Sequence, residues 1–186
     1  MPLSTPADRE LIHERRIECR GYRRGDGLWD IEGHMTDVKT YDFDTVERGH
    51  VAAGMPVHEM WVRITVDDDF LIHDAEACTE YAPFTVCPQA APSMREIRGL
   101  RIGAGWRRAI NERIGGSLGC THLRELLGPM ATTAFQTIVP IKMKMDKAPT
   151  GKRSSLIGTC HAYAPGSPVV KRLWPEQYRE AGGSES

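Results

Sequence analysis

The feature that most constrains this fold is the stretch from Gly115 to Val139, GGSLGCTHLRELLGPMATTAFQTIV, the longest segment whose apolar residues keep helical spacing. Leu123, Leu126, Leu127, Met130, Ala134 and Ile138 recur at i, i+3, i+4, i+7, i+11 and i+15, a stripe that must be buried against a neighbour. The opposite side carries His122, Glu125, Thr132, Thr133 and Gln136 in place of the lysine and glutamate mixture of a freely solvated helix, so it too is expected to have a neighbour. Gly115, Gly116 and Gly119 supply a turn before it, and Thr121 or Ser117 can cap the first amides. Gly128-Pro129 is expected to kink or restart the helix midway, because proline offers no N–H to the helical ladder and its ring crowds the preceding turn.

Upstream the period is two. Leu11 to Arg20 alternates weakly and reads as a first strand, followed by Arg23-Arg24-Gly25-Asp26-Gly27, where Asp-Gly tolerates the positive φ of a hairpin turn. In Leu28 to Tyr41 (LWDIEGHMTDVKTY), Trp29, Ile31 and Met35 point one way and Asp30, Glu32 and His34 the other. Gly33 is a candidate bulge, which would alter the facing of Asp37, Lys39 and Tyr41. Residues 42 to 56 read as a loop. Val57 to Asp67 is the clearest strand, with Val62, Ile64 and Val66 on the face shared by His58 and Met60, and Phe70 to Val86 begins as its partner. The links are too short for helical crossovers, so an antiparallel meander of about three or four strands follows.

After Cys87-Pro88 helical spacing takes over, first in Met94 to Leu100 and then through Trp106, Ile110 and Ile114. Strands followed by helices indicate an α+β fold: an antiparallel sheet, open or barrel-like, packed against two or three helices. Beyond Pro140, residues 142 to 153 read as a mobile loop, and Ser155 to Tyr163 and Pro168 to Trp174 as short extended pieces.

A chain of 186 residues suits one domain, 1–186, with a loose arm over 1–10 and a frayed tail over 181–186. Its 24 basic and 25 acidic side chains leave no global field to attract nucleic acid or an anionic membrane, and neither is expected as a partner. No apolar run reaches the roughly 18 residues of a membrane span, and the first 25 residues lack the apolar core of a secretory signal, which points to the cytoplasm. The five cysteines, Cys19, Cys78, Cys87, Cys120 and Cys160, are odd in number and widely spaced, as expected of reduced thiols. Trp29, Trp61, Trp106 and Trp174 are more large aromatics than such a core needs, and a homodimer is expected.

Two constellations could carry chemistry. Asp30, Glu32 and His34 share a strand face, and if that face lies under the polar side of the central helix it lines a pocket. Clustered carboxylates beside a histidine shift one another's pKa towards neutrality and can supply a general base. The alternative is a solvated face with cross-strand ion pairs. His58, Lys39, Tyr41 and His122 are the candidate polar anchors, although a histidine flanked by apolar positions, as His58 is, is more often a satisfied core residue. The second constellation is a zinc or iron site from Cys87, Cys120 and His122, set against the reading that both thiols pack as small hydrophobes and His122 bonds locally at a helix start. There is no GxSxG nucleophile elbow, and neither Gly99 to Gly105 nor Gly115 to Gly119 matches a phosphate-binding or dinucleotide pattern.

The segments RRGDGLWDIEGHMTDVKTY, PVHEMWVRITVD, TEYAPFTVC, GWRRAINERIGGSLGCTHLRELLGPMATTAFQT and VVKRLWPEQY resemble the bacterial domain-of-unknown-function family 2889, most specifically through DGLWDIEG and GCTHLRELL. The resemblance covers most of the chain. Some members of that family appear alongside genes for the breakdown of aromatic, including lignin-derived, compounds. The resemblance therefore implies a small enzyme acting on a phenolic substrate, with Asp30, Glu32, His34, Asp37, Lys39, His58, Cys120 and His122 as the polar positions inside the family-like motifs. A cofactor-independent lyase is the expected class, since elimination or retro-aldol cleavage needs only proton removal and charge stabilisation. A metal-binding protein and a non-catalytic ligand-binding protein are the rivals.

Overall fold

Period-two alternation makes the first half of the chain a sheet. The computed structural model describes residues 3–145 and 156–180. Its strands are β1 (His13–Arg23), β2 (Trp29–Lys39), β3 (Phe43–Thr45), β4 (Gly49–Val51), β5 (Pro56–Val66) and β6 (Ile72–Tyr81). The long strands form one antiparallel sheet in the order β1-β2-β5-β6, with β1 and β6 outermost and unpaired with each other, so among the described residues the sheet is open and no barrel closes. β3 and β4 pair as a small separate hairpin inside the segment that reads as a loop. Strands of three residues are too short for a period to show.

Helices cover one face of this sheet. A 3-10 helix, Cys87–Ile97, is followed by α1 (Trp106–Ile114) and α2 (Thr121–Met145). Trp29, Ile31 and Met35 of β2 and Met60, Val62, Ile64 and Val66 of β5 join one buried cluster with Met94, Ile97, Trp106, Ile110 and Ile114. All six residues of the central stripe are in it, each no more than 1% exposed.

The helix α2 is continuous through both Gly128-Pro129 and Pro140, against the expected restart. Each internal proline costs roughly 3 kcal/mol, whereas burying the five large stripe residues contributes about 1.5–3 kcal/mol apiece. Tertiary burial wins. Of residues 142 to 153, 142–145 are helical, and the remainder lie outside the described residues.

Gly33 is not a bulge either. It pairs regularly with Cys19 and Val62, and a Cβ there would come 2.7 Å from Met130 Sδ. The glycine lets α2 settle onto β2. Gly21, on β1, does the same beneath Thr137. The one irregularity of the β2–β5 ladder falls at Asp37/Val38.

By contacts the chain divides into two compact units, residues 1–142 and 143–186. Within the second, His161–Tyr163 is a 3-10 turn and Pro168–Leu173 is a helix, α3, where extended pieces were expected. The helix starts on a cap: Ser167 Oγ accepts the Val170 N–H at 3.2 Å, with proline at the first helical position. Residues 3–12 are exposed and irregular, so the first strand begins at His13 rather than Leu11, while the tail 181–186 and Ser155 lie outside the described residues. Among the described residues no helix is long and apolar enough to cross a membrane. All five cysteines are free.

Candidate functional site

Three side chains stand in one cross-strand row on the helix-covered face: Arg15 of β1 opposite Asp37 of β2, and Asp37 opposite His58 of β5. Asp37 is in phase with Trp29, Ile31 and Met35, so strand alternation turns it inward, and it is only 1% exposed. A buried carboxylate must be fully bonded. Arg15 Nε and Nη2 donate to Oδ1 and Oδ2 at 2.7 Å each, His13 Nε2 donates to Oδ1 at 3.1 Å, and His58 Nδ1 donates to Oδ2 at 3.1 Å. Burial pushes the Asp37 carboxyl up, yet the Arg15 hydrogen bonds and charge, with those of the histidines, hold it below the ordinary carboxylate value.

That bonding fixes the state of His58. An ionised carboxylate only accepts, so Nδ1 of His58 carries the proton and Nε2 keeps its lone pair. Burial, then the positive charge of His122, lowers the pKa of His58 against the pull of Asp37, which favours the neutral ring. The product is an imidazole base, held in one tautomer by a buried carboxylate, as in hydrolase triads.

The first turn of α2 completes the cluster. The His122 ring lies on that of His58 with centroids 3.9 Å apart and a 32° tilt, and its Nδ1 is 3.9 Å from Cys120 Sγ. Hydrogen bonding to Cys120 raises the pKa of His122 over the opposing effect of burial. Burial pushes the Cys120 thiol up, but His122 and the backbone N–H groups of Leu123 and His122 bring it below its ordinary value. One helical turn on, Glu125 accepts Arg15 Nη1 at 2.6 Å, so the guanidinium ties Asp37 of the sheet to the helix.

Asp37, His58 and His122 also present ligand atoms within 4.8 Å of one another, the donor set of a two-histidine, one-carboxylate metal site. The hydrogen-bond count weighs against it. A carboxylate has about four lone-pair directions, and Arg15, His13 and His58 use all four. A metal would have to displace one of them, beside a guanidinium. Asp37 is therefore the group that orients His58. Cys87 joins no three-ligand cluster among the described residues, so the Cys87, Cys120 and His122 set is not assembled.

A family model described as "Protein of unknown function (DUF2889)" matches residues 13–136. The chain belongs to that family. The match begins at His13 and includes Glu125, so it spans every member of the cluster. No curated protein and no solved structure matches this DUF2889 chain.

In this DUF2889 protein the structure separates the residues expected to act together. Asp30, Glu32 and His34 lie on the face of β2 turned away from α2, so they line no pocket beneath it. Asp30 accepts the Thr65 hydroxyl at 2.7 Å and Arg24 at 3.2 Å, and Glu32 lies 3.5 Å from Arg63. His34 bonds Glu59 at 3.0 Å and stacks on Trp61 at 3.7 Å. That is the cross-strand pairing of an outer sheet face. Lys39 donates to Tyr41 at 2.9 Å where β2 ends, both outside the cluster. His58 and His122 do come together, but with Asp37, Arg15, His13, Cys120 and Glu125 rather than with the Asp30 face. The signal for Asp37 was in the sequence: unbroken alternation through Gly33 places it on the apolar face, as it places His58 beside Met60 and Val62. A groove lined by Trp106, Arg107, Asn111, Arg124 and Pro129 among others shares only Glu125 with the cluster.

Proposed function

We propose that this protein is a cofactor-independent acid–base enzyme of the cytoplasm, a lyase on a small phenolic compound, with His58 as its base. The observation that carries the reading is the buried Asp37–His58 pair, which leaves one imidazole nitrogen unprotonated and aimed by its carboxylate partner. His58 Nε2 takes a proton from the substrate. The electron pair left behind then expels a leaving group in an elimination, or breaks a C–C bond in a retro-aldol cleavage. His122, whose pKa is raised by Cys120, supplies positive charge beside the base when protonated, for the anion that develops. The phenolic substrate class rests on the company that family members keep, and a homodimer remains the expected assembly.

The test is turnover of a panel of phenolic substrates by wild type and by His58→Gln. A working base contributes about a hundredfold or more, so the variant is expected to lose at least that factor with its fold intact. An unchanged rate refutes the assignment of the base. If wild type turns over none of the panel, the lyase reading falls and a ligand-binding role stands in its place. Near-stoichiometric zinc or iron in the purified protein would overturn cofactor independence, together with the lone-pair argument at Asp37.

A further inference from the structure

The lyase reading uses His58 and the charge of His122 but leaves a thiol in the same cluster without a task. Cys120 sits immediately before α2, and its carbonyl accepts the Arg124 N–H at 3.0 Å, so it is the residue that caps the helix start. Its Sγ lies 3.9 Å from Nδ1 of the His122 ring. The long α2 places the positive end of its dipole at this sulfur. The imidazole is itself backed by a second ring, that of His58, and through it by Asp37. Other charged groups facing this end of the helix are Arg15 and Glu125, which neutralise one another at 2.6 Å. Cys120 is half-buried, with part of its surface packed against the core.

We propose that Cys120 is a nucleophile that adds to soft carbon electrophiles, the β carbon of a conjugated carbonyl compound, with His122 as its proton donor. A sulfur lone pair forms the C–S bond while the C=C pair moves onto the α carbon and carbonyl oxygen as an enolate. His122 then delivers its proton to the α carbon and is left neutral. The product is a thioether, and neither an oxidant nor a reductant takes part. This activity needs no turnover by His58, so its test is independent of the lyase reading.

Exposure alone predicts the wrong order of reactivity, which makes the test sharp. Cys78 and Cys160 are exposed, whereas Cys120 is half-buried. Full-length protein is treated with acrylamide, a simple conjugated carbonyl, and the rate at each cysteine is followed by peptide mass spectrometry between pH 6 and 8. An unperturbed thiol with a pKa of about 8.5, as in a short cysteine peptide, slows roughly 75-fold over that interval as its thiolate is lost. Cys120 is expected to slow by less than this and, at pH 6, to react faster than Cys78 or Cys160. His122→Gln should erase that advantage at pH 6, with folding checked by circular dichroism. A Cys120 rate at pH 6 no higher than those of the two exposed thiols, or a pH dependence like that of a short cysteine peptide, overturns the proposal from wild type alone. So does a folded His122→Gln variant that reacts as wild type does.

Discussion

Replacing Asp37 with asparagine removes one negative charge from the centre of the cluster and keeps the shape. The carboxamide still accepts at one oxygen, but its NH2 group must then face donors, because Arg15 offers N–H groups to both carboxylate oxygens and His58 offers Nδ1–H to one. Hydrogen bonds to a charged group are worth about 1.5–3 kcal/mol each, but these losses do not add, since partly exposed partners return to water. Arg15 and His13 are 35% and 44% exposed and can do so; His58, at 14%, cannot without moving. We expect a net loss of about 2–4 kcal/mol, which for a unit of this size lowers the melting temperature by roughly 6–12 °C.

The pH dependence gives a second reading of the same variant. Because the folded Asp37 carboxyl lies below its ordinary value, its stabilisation is fully present above the unfolded pKa of about 3.9 and is lost as pH falls through the folded value. The gap between wild type and Asp37→Asn should therefore be constant from about pH 7 to 5 and narrow below about pH 4. Urea unfolding followed by circular dichroism at a series of pH values measures it. A loss under about 0.5 kcal/mol at pH 7, or one that is as large at pH 3 as at pH 7, would refute the account of a buried, charged Asp37.

Three further outcomes are expected. Gly33→Ala should cost about 1–3 kcal/mol in thermal or urea unfolding, because its Cβ meets Met130 at 2.7 Å, and a neutral result would mean that α2 does not rest on β2 at that point. His34→Ala and Glu32→Gln lie on the outer sheet face and should each change stability by no more than about 1 kcal/mol, leaving Cys120 alkylation and any turnover as in wild type. In a proton NMR titration, with His58→Gln identifying its resonance, His58 should titrate below the ordinary imidazole value of about 6.5 and His122 above it; the reverse order would sink the assignment of base and proton donor.

The stripe Leu123 to Ile138 and the alternation of Val57 to Asp67 were legible because periodicity is a local property that burial then satisfies, and both became core. The order of elements, strands and then helices, was enough to give an α+β fold with an antiparallel sheet. The start of α3 was also written locally, in Ser167 and Pro168, although the segment around it reads as extended.

What only the tertiary structure decided was which face of β2 meets the helix and what Gly33 is for. A glycine in a strand is equally consistent with a bulge and with the close approach of another element, and nothing local distinguishes them. Packing of Met130 onto Gly33 keeps the alternation unbroken, turns Asp37 inward and leaves Asp30, Glu32 and His34 outside. The candidate site then forms from β1, β2, β5 and the first turn of α2, elements that are far apart in sequence. Its members are individually unremarkable polar residues, and a shared, water-poor environment is what alters their charge states. That environment is a property of the packed arrangement, so the sequence could supply the side chains but not the pairing that sets His58 against Asp37 and Cys120 against His122.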